Sequence, residues 1–238
     1  MKQASAEPRL ARPETYRQVF RDGETVLLIV TQRWPRLAGE SPGLRRIDRY
    51  YDALAERWRR RWEGPLLARA KAAAGPETPP WEASLDFTVT LFQNGLFSLW
   101  LEASEDTGVR RPRRVRMGDT WRVPTGVPVT LRELLPPQRW WRGPVLEEVR
   151  RQIGGRVSAG EAIFYDNWPQ LTSRLFSPDR FYLTERGAAV FYPVESIAPA
   201  MEGFPTFLLP LEPCPATVCT PPQQPVEPNK GINLPNNA

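Results

Sequence analysis

The stretch 180–210, RFYLTERGAAVFYPVESIAPAMEGFPTFLLP, constrains the fold of this chain more than any other. Two short strand-like runs meet at Glu185-Arg186-Gly187. An irregular Ser196-Ile197-Ala198-Pro199 step follows, then a turn at Gly203 and a last apolar strand. The stretch holds no evident nucleophile or metal ligand, so it speaks to architecture before chemistry.

The remaining elements read in the same way. The runs 16–20 and 24–31 flank Arg21-Asp22-Gly23, whose Asp-Gly step is a hairpin signal. Leu44, Ile47, Tyr51, Leu54, Trp58 and Trp62 recur at three- and four-residue steps, which places them on one face of a long helix. Ser41 reads as its N-cap and Pro42 as its first helical residue. Gly64-Pro65 kinks or ends it, with 66–74 as a continuation. Strands are expected at 85–92 and 96–103 around Asn94-Gly95, whose residues both accept positive φ. A basic loop is expected at 106–118, short strands at 120–123 and 128–131, and a second, smaller helix at 144–153. The fold class that emerges is α+β. Antiparallel, hairpin-rich sheets carry one long helix on a face. The chain then divides into a loose arm at 1–14, an N-terminal module at 15–105, the basic loop, a C-terminal module at 119–212 and a Pro-rich tail at 213–238. Seven of the 26 tail residues are proline, too few apolar groups remain to order it, and it is read as disordered.

Chemistry is limited by what is missing. The chain of 238 residues has no His, so the commonest general base near neutral pH is absent. Its two cysteines, Cys214 and Cys219, lie in the tail with four residues between them; they allow a small disulfide loop but no tetrahedral zinc site. No cofactor or metal is expected, and no phosphate-cradling or nucleophile-elbow motif is visible. Glu102, Glu105, Glu161 and Asp166 are the carboxylates from which an acid–base pair for glycan hydrolysis would have to come. No run is long enough for a membrane span, and the N-terminus has no apolar signal-peptide core. A cytoplasmic chain is expected as written, or an extracytoplasmic one if a leader was removed or missed.

The net charge of +5 is carried by arginine, with lysine only at 2, 71 and 230. Five arginines crowd one predicted loop: Arg110, Arg111, Arg113, Arg114 and Arg116. Guanidinium groups there suit bidentate capture of carboxylate or phosphate. Trp140 and Trp141 are candidates for an exposed aromatic platform.

The C-terminal half resembles the RsiV-like family, the extracytoplasmic domain of the lysozyme-sensing anti-sigma factor and related bacterial proteins of unknown function. The residues that carry the resemblance are Phe181-Tyr182-Leu183-Thr184, Gly187, Phe191-Tyr192-Pro193, Ile197-Ala198-Pro199 and Gly203, with Thr125-Gly126, Thr130-Leu131 and Leu134 upstream. Trp34-Pro35-Arg36-Leu37 and Ile47-Asp48-Arg49-Tyr50-Tyr51 are similar to the non-catalytic module of the peptidoglycan deacetylase PdaC. The resemblance implies a non-enzymatic binding or sensing module of the cell envelope, its partner a protein or an anionic cell-wall polymer. A basic surface would repel cationic lysozyme rather than steer it in. Two other classes remain open: nucleic-acid binding through the arginine loop, and a carboxylate-based glycan hydrolase.

Overall fold

The computed structural model describes residues 9–75, 78–137 and 139–211. Cys214, Cys219 and the Pro-rich tail lie outside the described residues. The architecture is α+β. A six-stranded sheet runs in the order β2 (Glu14–Asp22), β3 (Thr25–Trp34), β5 (Trp81–Gln93), β6 (Leu96–Asp106), β7 (Arg113–Arg122) and β8 (Val127–Pro128). A three-stranded sheet is formed by β11 (Thr206–Leu209), β10 (Gly187–Phe191) and β9 (Phe181–Thr184). A small ladder joins β1 (Arg9–Leu10) to β4 (Leu37–Ala38). Part of the expected loose arm is therefore strand, held by this pairing and by the Ala11 N–H donating to the Arg36 carbonyl.

The hairpins fall where their turns demand. Gly23 takes positive φ between β2 and β3, and Asn94 and Gly95 both do between β5 and β6. Pairing is antiparallel throughout the large sheet except for β3 with β5, which run parallel. That exception follows from the long helix between them, because a crossover returns the chain in the same direction.

The helix begins as expected. The Ser41 hydroxyl accepts from the Leu44 N–H at 3.2 Å, and α1 (Pro42–Arg61) follows. Leu44, Ile47, Tyr51, Leu54 and Trp62 are buried and Trp58 is half-buried, all against one face of the large sheet. Gly64-Pro65 does not end the run. Residues Trp62–Leu66 form a π-helical segment that absorbs the missing N–H of Pro65, and α2 (Leu67–Ala73) continues beyond it.

The second sheet packs on the opposite face of β6 and β7. A β-bulge between Val89 and Leu91 turns Leu91 toward that face, where it joins Leu96, Phe181, Leu183 and Val190 in a second core. Two contacts fix the joint. Gly118 on β7 lies so close to the Phe181 backbone that a Cβ would overlap the Phe181 carbonyl oxygen. The buried Ser98 hydroxyl accepts from the Leu183 N–H at 2.8 Å and donates to the Asp119 carbonyl at 3.0 Å. After β8, a capping box between Thr130 and Glu133 starts α3 (Leu131–Leu134), so Leu131 opens a helix and the strand expected at 128–131 is cut short. Further on, α4 (Arg142–Ser158) covers the outer edge of β11. Its Gln152 and Arg156 side chains donate to the Leu208 and Thr206 carbonyls, which shields an otherwise open sheet edge. Among the described residues, no helix is long and apolar enough to cross a membrane.

One carboxylate is caught between helix and sheet. Asp119 faces Tyr50 and Tyr51 of α1; its Oδ1 accepts from the Tyr50 hydroxyl at 3.4 Å, while Oδ2 is shut off from solvent with no partner. Burial pushes its carboxyl up to about 6 from an ordinary 3.8, with the tyrosine hydroxyls pulling the other way. The folded protein therefore binds this proton more tightly than the unfolded chain. The stability it contributes is complete below the unfolded value and is lost as pH rises through the folded one.

Three outcomes are expected in urea unfolding. Gly118→Ala should cost about 2 kcal/mol or more through overlap at the joint, and Ser98→Ala about 1–2 kcal/mol by orphaning the Leu183 N–H. Asp119→Asn should raise stability at pH 7.5 and remove roughly 1 kcal/mol of the difference between pH 5 and pH 7.5. An unchanged pH profile in Asp119→Asn would count against the buried carboxylate.

Candidate functional site

The end of β6, the loop 107–112 and the start of β7 face the π segment and α2 across an open cleft of about 570 Å³. Leu66, Ala73 and Trp81 give it apolar walls, and Arg69, Arg110, Arg111 and Arg113 converge on it from three elements. A smaller hollow of about 120 Å³ adjoins it, walled by Trp58, Ala103 and Val115; the two share Glu105 and Arg113. The Arg69 guanidinium lies over the Trp81 ring, 5.4 Å from its centroid. Among the described residues, none of Arg69, Arg110, Arg111 and Arg113 has a carboxylate within ion-pair distance.

Glu105 sits where the two hollows meet, its side chain only 8% exposed. Its Oε1 accepts from Arg61 Nε at 2.6 Å and from Trp62 Nε1 at 3.1 Å, and its Oε2 accepts from Arg61 Nη2 at 3.0 Å. Burial alone would push the carboxyl up. The hydrogen bonds and charge of Arg61, the Trp62 donor and the nearby charge of Arg113 outweigh it and hold the group below its ordinary value. Glu105 is thus an ionised carboxylate that neutralises Arg61, and among the described residues the other four guanidinium groups have no carboxylate in direct contact.

The structure divides the five arginines that the sequence placed in one loop. The loop is shorter than expected, because β7 starts at Arg113 and pairs with β6 along its length. Strand alternation then sends Arg113 to the helix side and Arg114 and Arg116 to the other. Those two are bound to Glu102, and Arg116 lies between the rings of Trp100 and Phe204, 4.5 and 4.3 Å from their centroids. They hold the second sheet's loop in place and do not reach the cleft. The polar–apolar alternation of Arg114-Val115-Arg116-Met117 was the signal for a strand. Arg69 and Trp81, in contrast, are distant in sequence from the cluster and no local pattern marks them.

The other candidates are also separated. Trp140 is 77% exposed, whereas Trp141 is packed against Phe176 with ring centroids 6.2 Å apart, so they do not form one platform. Glu102 and Glu105 point to opposite faces of β6, and Glu161 and Asp166 are exposed beyond α4. No two of them are brought together across a cleft. Among the described residues, no group of three or more acidic or cysteine side chains is placed to hold a metal ion.

The residues 181–203 singled out by resemblance sit in the fold as follows. Phe181, Tyr182, Leu183, Ile197 and Ala198 are buried, and the Thr184 hydroxyl donates to the Gly187 carbonyl at 3.0 Å. Gly187 takes a φ of 138° and leaves no room for a Cβ beside the Leu209 carbonyl. Pro199 precedes a short 3-10 turn that ends at Gly203, with φ 64°.

Comparison with known proteins places this fold. Residues 143–212 match the model of DUF3298, described as a protein of unknown function. The crystal structure of a DUF3298 family protein from Pseudomonas aeruginosa PAO1 aligns with a TM-score of 0.57 at 16% identity, over 87% of this chain and 94% of that one. A member of the DUF3298 family from Bacteroides fragilis NCTC 9343 aligns with a TM-score of 0.56 at 12% identity, over 90% and 97%. At such identities the likeness is one of fold. No curated protein matches the chain.

Replacing Glu105 should be costly. Glu105→Ala leaves the buried Trp62 N–H and the Arg61 guanidinium without an acceptor, for an expected loss of about 2–3 kcal/mol in urea unfolding. Because its folded pKa lies below the unfolded value, its contribution is present above pH 4.5 and lost as pH falls through the folded value. A difference between Glu105→Ala and the parent that persisted unchanged into strong acid would contradict this assignment.

Proposed function

We propose that this DUF3298-containing chain is a non-enzymatic binding module of the RsiV-like kind, and that its arginine-lined cleft takes an anionic ligand. An acidic protein segment and an anionic cell-wall polymer are the two candidates. One observation carries the reading: four guanidinium groups, from α2, the loop 107–112 and β7, converge on one cleft with no carboxylate partner among the described residues. Elsewhere the arginines of the same strand are already bound, as Arg114 and Arg116 are to Glu102. Planar guanidinium groups held on separate elements favour several acceptor oxygens at once. The carboxylates that hydrolysis would need support the non-enzymatic reading. Glu102 and Glu105 are each engaged by arginine and face apart.

The test is titration of the full chain with teichoic acid, soluble peptidoglycan, an acidic peptide and duplex DNA. Binding to one of the first three that weakens with salt is expected. Arg110→Gln combined with Arg111→Gln and Arg113→Gln should weaken it at least tenfold, with Arg114→Gln as an off-site control that leaves affinity unchanged. Preference for DNA would transfer the site to nucleic-acid binding, and silence toward all four would end the proposal.

A further inference from the structure

We infer that the ligand of this cleft is an amphipathic anion, a negatively charged group joined to an apolar body. The inference rests on the anion-binding reading and adds the chemistry of the remainder of the ligand. The cationic groups and the apolar surface occupy different parts of the site. Arg110, Arg111 and Arg113 are exposed at the rim, whereas Leu66 and Trp81 form the floor. At the lip Val109 is 79% exposed. Gly108, with a φ of 69° and its N–H bound to Asp106 Oδ1 at 2.8 Å, sets the turn that presents Val109 beside Arg110.

The adjoining hollow extends the same floor. Its walls are Trp58, Ala103 and Val115, and its one ion pair, Arg61 with Glu105, is already neutral within itself. Apart from the rim arginines, the cleft holds one more guanidinium without a carboxylate partner among the described residues, Arg69 over the Trp81 ring, and Glu105 would repel a second negative group. A fully hydrated polyanion would engage the rim and leave the exposed Val109 and the half-buried Trp58 wet. A ligand with an apolar body removes that surface from water, which favours it in proportion to the area covered.

The test compares inorganic phosphate, polyphosphate, phenyl phosphate and octyl phosphate on the full chain. The last two distinguish a flat aromatic source from an acyl one. At least one organic phosphate is expected to bind tenfold or more tightly than inorganic phosphate. Val109→Ser should reduce that advantage severalfold, and Arg111→Gln should weaken every probe. Equal affinity for inorganic and organic phosphates, or a preference for polyphosphate, overturns the inference while the anion site stands. If no probe binds, both fall. Val109 and Arg111 are exposed, so neither variant threatens folding.

Discussion

The structure depends on the close approach of two backbones at Gly118. There β7 comes near enough to β9 that no side chain fits between them, and Ser98 ties the Leu183 N–H to the same spot. Both faces of β6 and β7 are thereby committed. The helix covers one, and the second sheet covers the other. Every side chain on β7 is assigned to a side by parity alone. Val115, Met117, Asp119 and Trp121 meet the helix, while Arg114, Arg116 and Thr120 meet the second sheet. The composition of the cleft follows, since Arg113 is the one arginine of the strand cluster that parity aims at it.

The opposite wall is set by the π segment. Trp62, Leu66 and Ala70 are buried at four-residue steps. Each such step over-rotates a turn of 3.6 residues by about 40°, so a plain α-helix would carry Leu66 and Ala70 off the sheet. The wider turn around Pro65 corrects the phase, keeps all three on the core side, and leaves Arg69 free to lie across Trp81. A proline that the sequence marks as a break serves instead to keep a long helix in register with its sheet.

Elements set by local chemistry were legible in the sequence. Ser41 and Pro42 marked the helix start, Asn94-Gly95 and Asp22-Gly23 marked two hairpins, and the stretch 180–210 gave its three strands. What could not be read depended on partners distant along the chain. Arginine density suggested a solvated loop at 106–118, but the backbone of β6 supplies hydrogen bonds that turn 113–118 into strand. The parallel pairing of β3 with β5 is fixed by the crossover, which no residue in either strand announces. The site divides in the same way. Arg110, Arg111 and Arg113 were visible as a cluster, whereas Arg69, Trp81 and Glu105 enter only through the packing of helix on sheet.

The cleft is rigid at its base and adaptable at its lip. Glu105 joins the helix to β6 through Arg61 and Trp62, so the floor cannot open without breaking the bonds to this buried carboxylate. The lip is the short loop 107–112, held at one point by the Asp106 carboxylate. On the proposed reading, a site with its apolar floor fixed before the ligand arrives loses little entropy there, and the ordering cost falls on the exposed arginine side chains. On the same reading, occupancy would stabilise the fold as well as the complex, because an anion bound by the native state and not by the unfolded chain shifts the unfolding equilibrium.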